Sequence, residues 1–162
     1  MENTLRHERP LSEGPSAQAV QVSLALADMP GRFEQLWAYE SPEGGFVVAS
    51  LPFFARGIAF GDLVEVSQPG QEVTRVVRQS GLRTVRACFT DRSSVTSRHE
   101  AVHGKIEALR LPSEWHGGGY VAVLVRSFED QEAVLRALAP QLQAGIMVAE
   151  VEPEPFPCVA DA

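Results

Sequence analysis

A chain of 162 residues, 44% hydrophobic and 22% charged, is long enough to bury one generous core or two small ones. Its formal net charge of -7 repels nucleic-acid phosphate and anionic lipid, so neither is an expected partner, whereas a basic protein is. No apolar run approaches the roughly eighteen residues that span a bilayer, the N-terminus carries no apolar signal core, and Cys88 and Cys158 match no metal or redox spacing, so the cytoplasm is the expected compartment.

Residues 1–19 carry Glu, Ser, Pro and Gly with few apolar positions, which predicts a mobile arm. Val20, Val22, Leu24 and Leu26 then alternate and fall on one face of a strand. Asp28-Met29-Pro30-Gly31 turns the chain into a second strand at Leu36-Trp37-Ala38-Tyr39, and Ser41-Pro42-Glu43-Gly44-Gly45 closes a hairpin into Phe46-Val47-Val48-Ala49. Residues 49–66 follow as the most apolar irregular stretch, broken by Pro52, Gly57 and Gly61 too often for a helix or one long strand. Such a loop is stable only where its aromatic side chains plug a core built by other strands. Trp37, Phe46, Phe53, Phe54 and Phe60 are the candidates for that core.

Gly61-Asp62, Pro69-Gly70 and Ser80-Gly81 punctuate three further short strands, at 63–66, 73–77 and 84–89. Beyond Thr90 the period changes. Ser93 or Ser94 is placed to cap a helix reaching about Leu109, with Val95, Val102, Ile106 and Leu109 at helical spacing, and Pro112 stops it. The Gly117-Gly118-Gly119 run reads as a hinge before a strand buried on both faces, Tyr120 to Val125. Ser127 to Asp130 begins a second helix with an apolar stripe at Val134, Leu135, Leu138 and Leu142, which Pro140 should kink or end and Gly145 ends more firmly. A last strand runs from Ile146 to Val151. The expected fold is α+β: a mobile arm over 1–19, a small bent antiparallel β-sheet or barrel over 20–89, a split βαβ, ferredoxin-like layer over 90–151, and a Pro-rich extended tail over 152–162.

Three segments carry a family resemblance. Leu36-Trp37-Ala38, then the block from Leu51-Pro52-Phe53-Phe54-Ala55-Arg56-Gly57 to Gly61-Asp62-Leu63-Val64, then Ser80-Gly81-Leu82-Arg83-Thr84-Val85-Arg86 resemble a bacterial family known as domain of unknown function 4265. Its members carry a similar Trp-Ala, a Pro-Phe-Phe-Ala-x-Gly block running into Gly-Asp, and a Ser-Gly-x-x-Thr-x-Arg segment. Leu82-Arg83 departs from the small polar residues expected there. The resemblance implies the order of the elements and no particular activity.

Four groups of residues are candidates for function. His99-Glu100-Ala101-Val102-His103 is a literal H-E-x-x-H on a predicted helix, where His99 and His103 share a face and would ligate zinc while Glu100 acts as general base. The structural alternative places His99 on the apolar stripe with Val102 and Ile106, and no third ligand stands at a familiar spacing. Arg75, Arg78, Arg83 and Arg86 form a basic cluster on adjacent strands that suits a phosphate, a nucleotide or an acidic surface, or else pairs across strands with Glu65 and Glu72. Trp115 and His116 lie on an apparent loop, where an indole serves either as a binding hot spot or as a closure of the sheet end. Glu129, Asp130 and Glu132 complement a helix N-terminus and also offer an acidic surface to a basic partner. Ser127 with His99 or His116 as a nucleophile and base is better explained by the helix cap.

The function these residues predict is a non-catalytic, acidic protein-binding module without cofactor, in particular an immunity or inhibitor protein of a bacterial toxin. A zinc-dependent hydrolase built on His99, Glu100 and His103 is the alternative from another class. A small-ligand or nucleotide-binding module using the arginines is the third reading.

Overall fold

The computed structural model describes residues 4–11, 18–91, 95–117 and 119–157. The chain divides into two compact units, Met1–Leu82 and Arg83–Ala162. The division falls seven residues earlier than the composition change near Thr90 suggested, because the strand Arg83–Phe89 pairs entirely within the second unit.

The first unit contains β1 (Thr4–Arg6), β2 (Val20–Ala25), β3 (Phe33–Glu40), β4 (Phe46–Val48), β5 (Leu63–Ser67) and β6 (Glu72–Arg78). Strands β2 to β6 form an antiparallel meander, and β6 returns to β2 through a single parallel bridge, Ser23 to Glu72, reinforced by the Ser23 amide donating to the Gln71 carbonyl at 3.0 Å. The result is a closed five-stranded barrel. Strand β1 lies parallel to the first half of β3, from Thr4 beside Phe33 to Arg6 beside Gln35, and β4 pairs with the second half. The arm expected over 1–19 therefore contains an ordered strand, and His7 beyond it is only 5% exposed.

Val22, Leu36, Ala38, Val48, Ile58 and Val64 fill the barrel, each at most 2% exposed. Of the five aromatic residues expected there, only Phe53 is buried, while Trp37, Phe46, Phe54 and Phe60 are half-buried. The interior of so small a barrel admits branched aliphatic chains more readily than rings. Burying each Val or Leu contributes about 1.5–3 kcal/mol. The hairpin between β3 and β4 needs its glycine: Gly45 has φ +77°, and a Cβ there would sit 2.6 Å from the Val64 carbonyl oxygen.

The second unit contains β7 (Arg83–Phe89), α1 (Val95–Ala108), β8 (Ser113–His116), β9 (Tyr120–Val125), α2 (Phe128–Gln143) and β10 (Met147–Glu152). Its sheet is antiparallel throughout, in the order β10-β7-β9-β8. The inward residues Val85, Ala87, Phe89, Val121, Val123, Val125 and Met147 form one core with Val102 and Ile106 of α1 and Val134 and Leu138 of α2. The unbroken apolar run of β9 is buried from Val121 to Val125, as a strand covered on both faces requires.

Four local expectations meet a different outcome or fall outside the described residues. Residues 113–116 are not a loop but the edge strand β8, which turns at Gly117 into β9, with the Gly119 amide donating to the His116 carbonyl at 3.3 Å. Ser127 caps α2 by accepting the Asp130 amide at 3.1 Å, but Pro140 does not end that helix, which runs to Gln143. The described part of the tail, to Pro157, folds back rather than extending freely: the Phe156 amide donates to Gln131 Oε1 at 2.8 Å, and the Arg83 guanidinium lies 4.4 Å over the Phe156 ring. The caps proposed at Ser93 and Ser94 lie outside the described residues.

Candidate functional site

The central apolar loop has no regular structure between β4 and β5, yet Leu51, Phe53, Ala55, Ile58 and Ala59 within it are all buried. Its backbone amides therefore need internal partners. Glu34 supplies them. In β3 the alternation that points Leu36 and Ala38 inward also points Glu34 inward, and it is fully buried. Its Oε1 accepts the Phe53 amide at 2.6 Å, and its Oε2 accepts the amides of Phe54 at 3.0 Å and Ala55 at 2.7 Å. Three successive N–H groups thus form a concave nest around one carboxylate.

His7 completes the arrangement. Its Nε2 lies 2.8 Å from Glu34 Oε1, and because an ionised carboxylate only accepts, this nitrogen carries the hydrogen. The imidazole stacks on the Phe53 ring at 4.9 Å and 18°. The Trp37 indole N–H donates to the His7 carbonyl at 2.9 Å. Burial pushes the Glu34 carboxyl up, but the hydrogen bond and charge of His7, together with the loop amides, hold it below its ordinary value of 4.5.

A second carboxylate works the same way at the far end of the loop. Asp62, 1% exposed, accepts the Ala59 amide at 2.9 Å and the Ser80 amide at 2.7 Å. The Ser80 hydroxyl donates to the Phe60 carbonyl at 2.7 Å and accepts from the Leu82 amide at 3.2 Å. Gly61 sits against this joint with φ +84°, and a Cβ there would lie 3.1 Å from the Ser80 Cβ. The Trp37, Pro52-Phe53-Phe54-Ala55, Gly61-Asp62 and Ser80-Gly81 segments are thereby one hydrogen-bonded assembly in the first unit. Glu34, which sequence reasoning missed, is its centre.

The other candidate residues are distributed as follows. His99 and His103 do share a face of α1, with ring centroids 5.9 Å apart, but the Trp115 indole of β8 packs against both, at 4.6 Å and 5.2 Å. Trp115 is half-buried rather than displayed on a loop. His99 Nε2 and Trp115 Nε1 are buried without a hydrogen-bond partner. Glu100 is exposed, and His103 Nδ1 faces Glu107 at 3.6 Å. Among the described residues no group of three or more His, Cys, Asp or Glu is placed to hold a metal ion.

Arg75 and Arg78 belong to β6 of the first unit, Arg83 and Arg86 to β7 of the second. Arg75 makes a two-pronged pair with Glu65, both contacts at 2.7 Å, which raises the guanidinium pKa and lowers that of the carboxyl. Arg78 meets Glu43 at 2.7 Å. Arg86, only 5% exposed, meets Glu150 at 2.7 Å, and Arg83 donates to the Glu154 carbonyl at 2.9 Å. His116 lies 6.4 Å from the Tyr120 ring. Glu129, Asp130 and Glu132 stand in the first turns of α2, where Asp130 accepts the Arg126 amide at 3.0 Å.

A crystal structure of a hypothetical protein from Neisseria gonorrhoeae is similar in fold, with a TM-score of 0.64 and 17% sequence identity over 84% of this chain and 95% of that one. No curated protein matches the sequence. No helix among the described residues is long and apolar enough to cross a membrane. The family model described as "Domain of unknown function (DUF4265)" matches residues 34–149, from the nest carboxylate of Glu34 into β10, and the chain belongs to that family.

Proposed function

We propose that the protein is a non-catalytic, acidic binding module of the cytoplasm whose partner is a basic protein, and that it acts as an immunity or inhibitor protein of a bacterial toxin. The observation that carries this reading is the pairing of the arginines. The fork of Arg75 is filled by Glu65, and Arg78 and Arg86 meet Glu43 and Glu150, so their charge is engaged within the protein. Both units remain negative: ten acidic residues stand against six basic ones over residues 1–82, and eleven against eight over residues 83–162. Such a field favours association with a cationic surface and disfavours an anionic ligand.

The engagement of Glu34, Asp62 and Ser80 with backbone groups supports the same reading, since these side chains act as internal fasteners. We take the second unit to be a ferredoxin-like split βαβ layer. Its support is the order strand, helix, strand, strand, helix, strand, with the first strand central in the sheet. The test is purification of the tagged chain from its own organism, followed by mass spectrometry and a salt titration of whatever comes with it. One basic protein in equal amount, lost as salt rises, is the expected result. A chain that emerges alone, or a partner indifferent to salt, would end this reading.

A further inference from the structure

The N-terminal segment enters the first unit as a short strand and a plug. Strand β1 contributes only Thr4, Leu5 and Arg6 to its ladder with β3, too few to hold by themselves. The side chain that follows does the holding: His7 Nε2 on Glu34 at 2.8 Å, its ring stacked on Phe53, and its carbonyl receiving the Trp37 indole N–H. The Leu11 amide then donates to the Ala49 carbonyl at 2.7 Å. All of these receiving groups lie between residues 33 and 53. The amides of Phe53, Phe54 and Ala55 also hold the Glu34 carboxylate, so this wall of the groove is fastened by contacts other than those of its occupant.

The occupant also suits an acidic host. Residues 4–11 carry Arg6 and Arg9 against one acidic residue, Glu8. The eight residues between them and β2, 12–19, include Gly14 and Pro15. A segment bound in this way makes identical contacts whether it comes from its own chain or from another copy, and exchange then generates a two-fold, self-limiting pair.

We propose that the groove along β3 is a peptide site that reads a histidine in an extended segment, and that its partner in trans is residues 4–11 of a second copy of this chain. The site lies outside the acidic-module reading and does not depend on it.

The test uses the full chain. A fluorescein-labelled synthetic peptide of residues 1–11 is titrated into wild-type protein and into the His7→Ala variant by fluorescence anisotropy. In the wild type the groove is occupied by the chain's own segment, so freeing it by His7→Ala raises the affinity for the peptide at least about tenfold. The same peptide carrying His7→Ala binds neither protein. Equal binding of the two peptides to the variant, or no binding, overturns the proposal. Should the variant fail to fold, the wild type decides through its mass by light scattering against concentration. A dimer that forms on concentration and is dissolved by the natural peptide, but not by the alanine peptide, supports exchange. A monomer at every concentration, or a dimer indifferent to both peptides, overturns it.

Discussion

Replacing Glu34 by Gln keeps the size and shape of the side chain while exchanging one acceptor oxygen for an NH2 group. In the native protein Oε1 serves the Phe53 amide and His7, and Oε2 serves the amides of Phe54 and Ala55. Turned toward Phe54 and Ala55, the NH2 of Gln meets two N–H donors; turned the other way it meets the Phe53 amide, while the His7 imidazole can change tautomer and accept from it. Each buried donor left without an acceptor costs about 1–3 kcal/mol, and the charge assistance of the remaining bonds is lost as well. A loss of about 3 kcal/mol is expected for the first unit, from the orphaned Phe53 amide together with the lost charge assistance. The assay is urea denaturation followed by Trp37 emission in a Trp115→Phe background, which removes the second unit's indole from the signal. With a urea slope of about 1–3 kcal/mol per molar, the midpoint should fall by about 1–3 M. A loss under about 1 kcal/mol would refute the reasoning, because it would mean the loop amides find other acceptors at no cost.

The same carboxylate makes the first unit sensitive to acid. Its folded pKa lies below the ordinary 4.5, so its contribution is fully present above that value and disappears as pH falls through the lower folded value. Melting followed at Trp37 should therefore fall as pH drops below about 4.5, and the Glu34→Gln variant should show a weaker fall over the same range. Trp115→Phe should change the stability of the second unit by no more than about 1 kcal/mol, since removing an unpaired buried N–H offsets the lost ring area. A loss above about 3 kcal/mol in the calorimetric melt would show that the indole nitrogen has a partner. Ser127→Ala should destabilise the second unit by about 1 kcal/mol through loss of the bond to the Asp130 amide, measured by Trp115 emission in urea, and no loss would discount the cap. Dialysis against a chelator should leave the melting temperature unchanged, given the indole lying against both imidazoles of α1; a drop that zinc reverses would restore the metal reading.

What was legible in the sequence was the short-range part of the fold. The alternation at Val20, Val22, Leu24 and Leu26, the hairpin between β3 and β4, the buried run of β9 and the Ser127 cap each depend on a few neighbouring residues. The barrel was anticipated from the density of turns, and its closure through β6 is a long-range event with no local mark. Strand β8 has four residues, fewer than a two-residue period needs to declare itself, and its Trp-His-Gly sequence resembles a turn. The role of Glu34 did leave a sign: an acidic residue in phase with Leu36 and Ala38 on the inward face of a strand demands internal donors. His7 left none. Its burial depends on Glu34 and Phe53, 27 and 46 positions away, and nothing in its polar surroundings announces a core residue.

The two units differ in how they resist sticking to copies of themselves. Each barrel strand from β2 to β6 has a neighbour on both sides, and where the ring is thinnest, at the single Ser23–Glu72 bridge, β6 carries the charged residues Glu72, Arg75 and Arg78, which discourage pairing with a like strand. The open sheet of the second unit ends at β8 and β10, and both ends are guarded. Strand β8 is too short to recruit another strand firmly, and β10 carries Glu150 and Glu152 and is followed at once by Pro153, which has no amide hydrogen to offer. Glu150 also neutralises the nearly buried Arg86. One side chain thus closes an internal charge pair and keeps the sheet's border hostile to a like strand, so Glu150→Val would raise a colloidal hazard as well as removing the nearer of two carboxylates beside Arg86, the other being Glu152 at 3.8 Å.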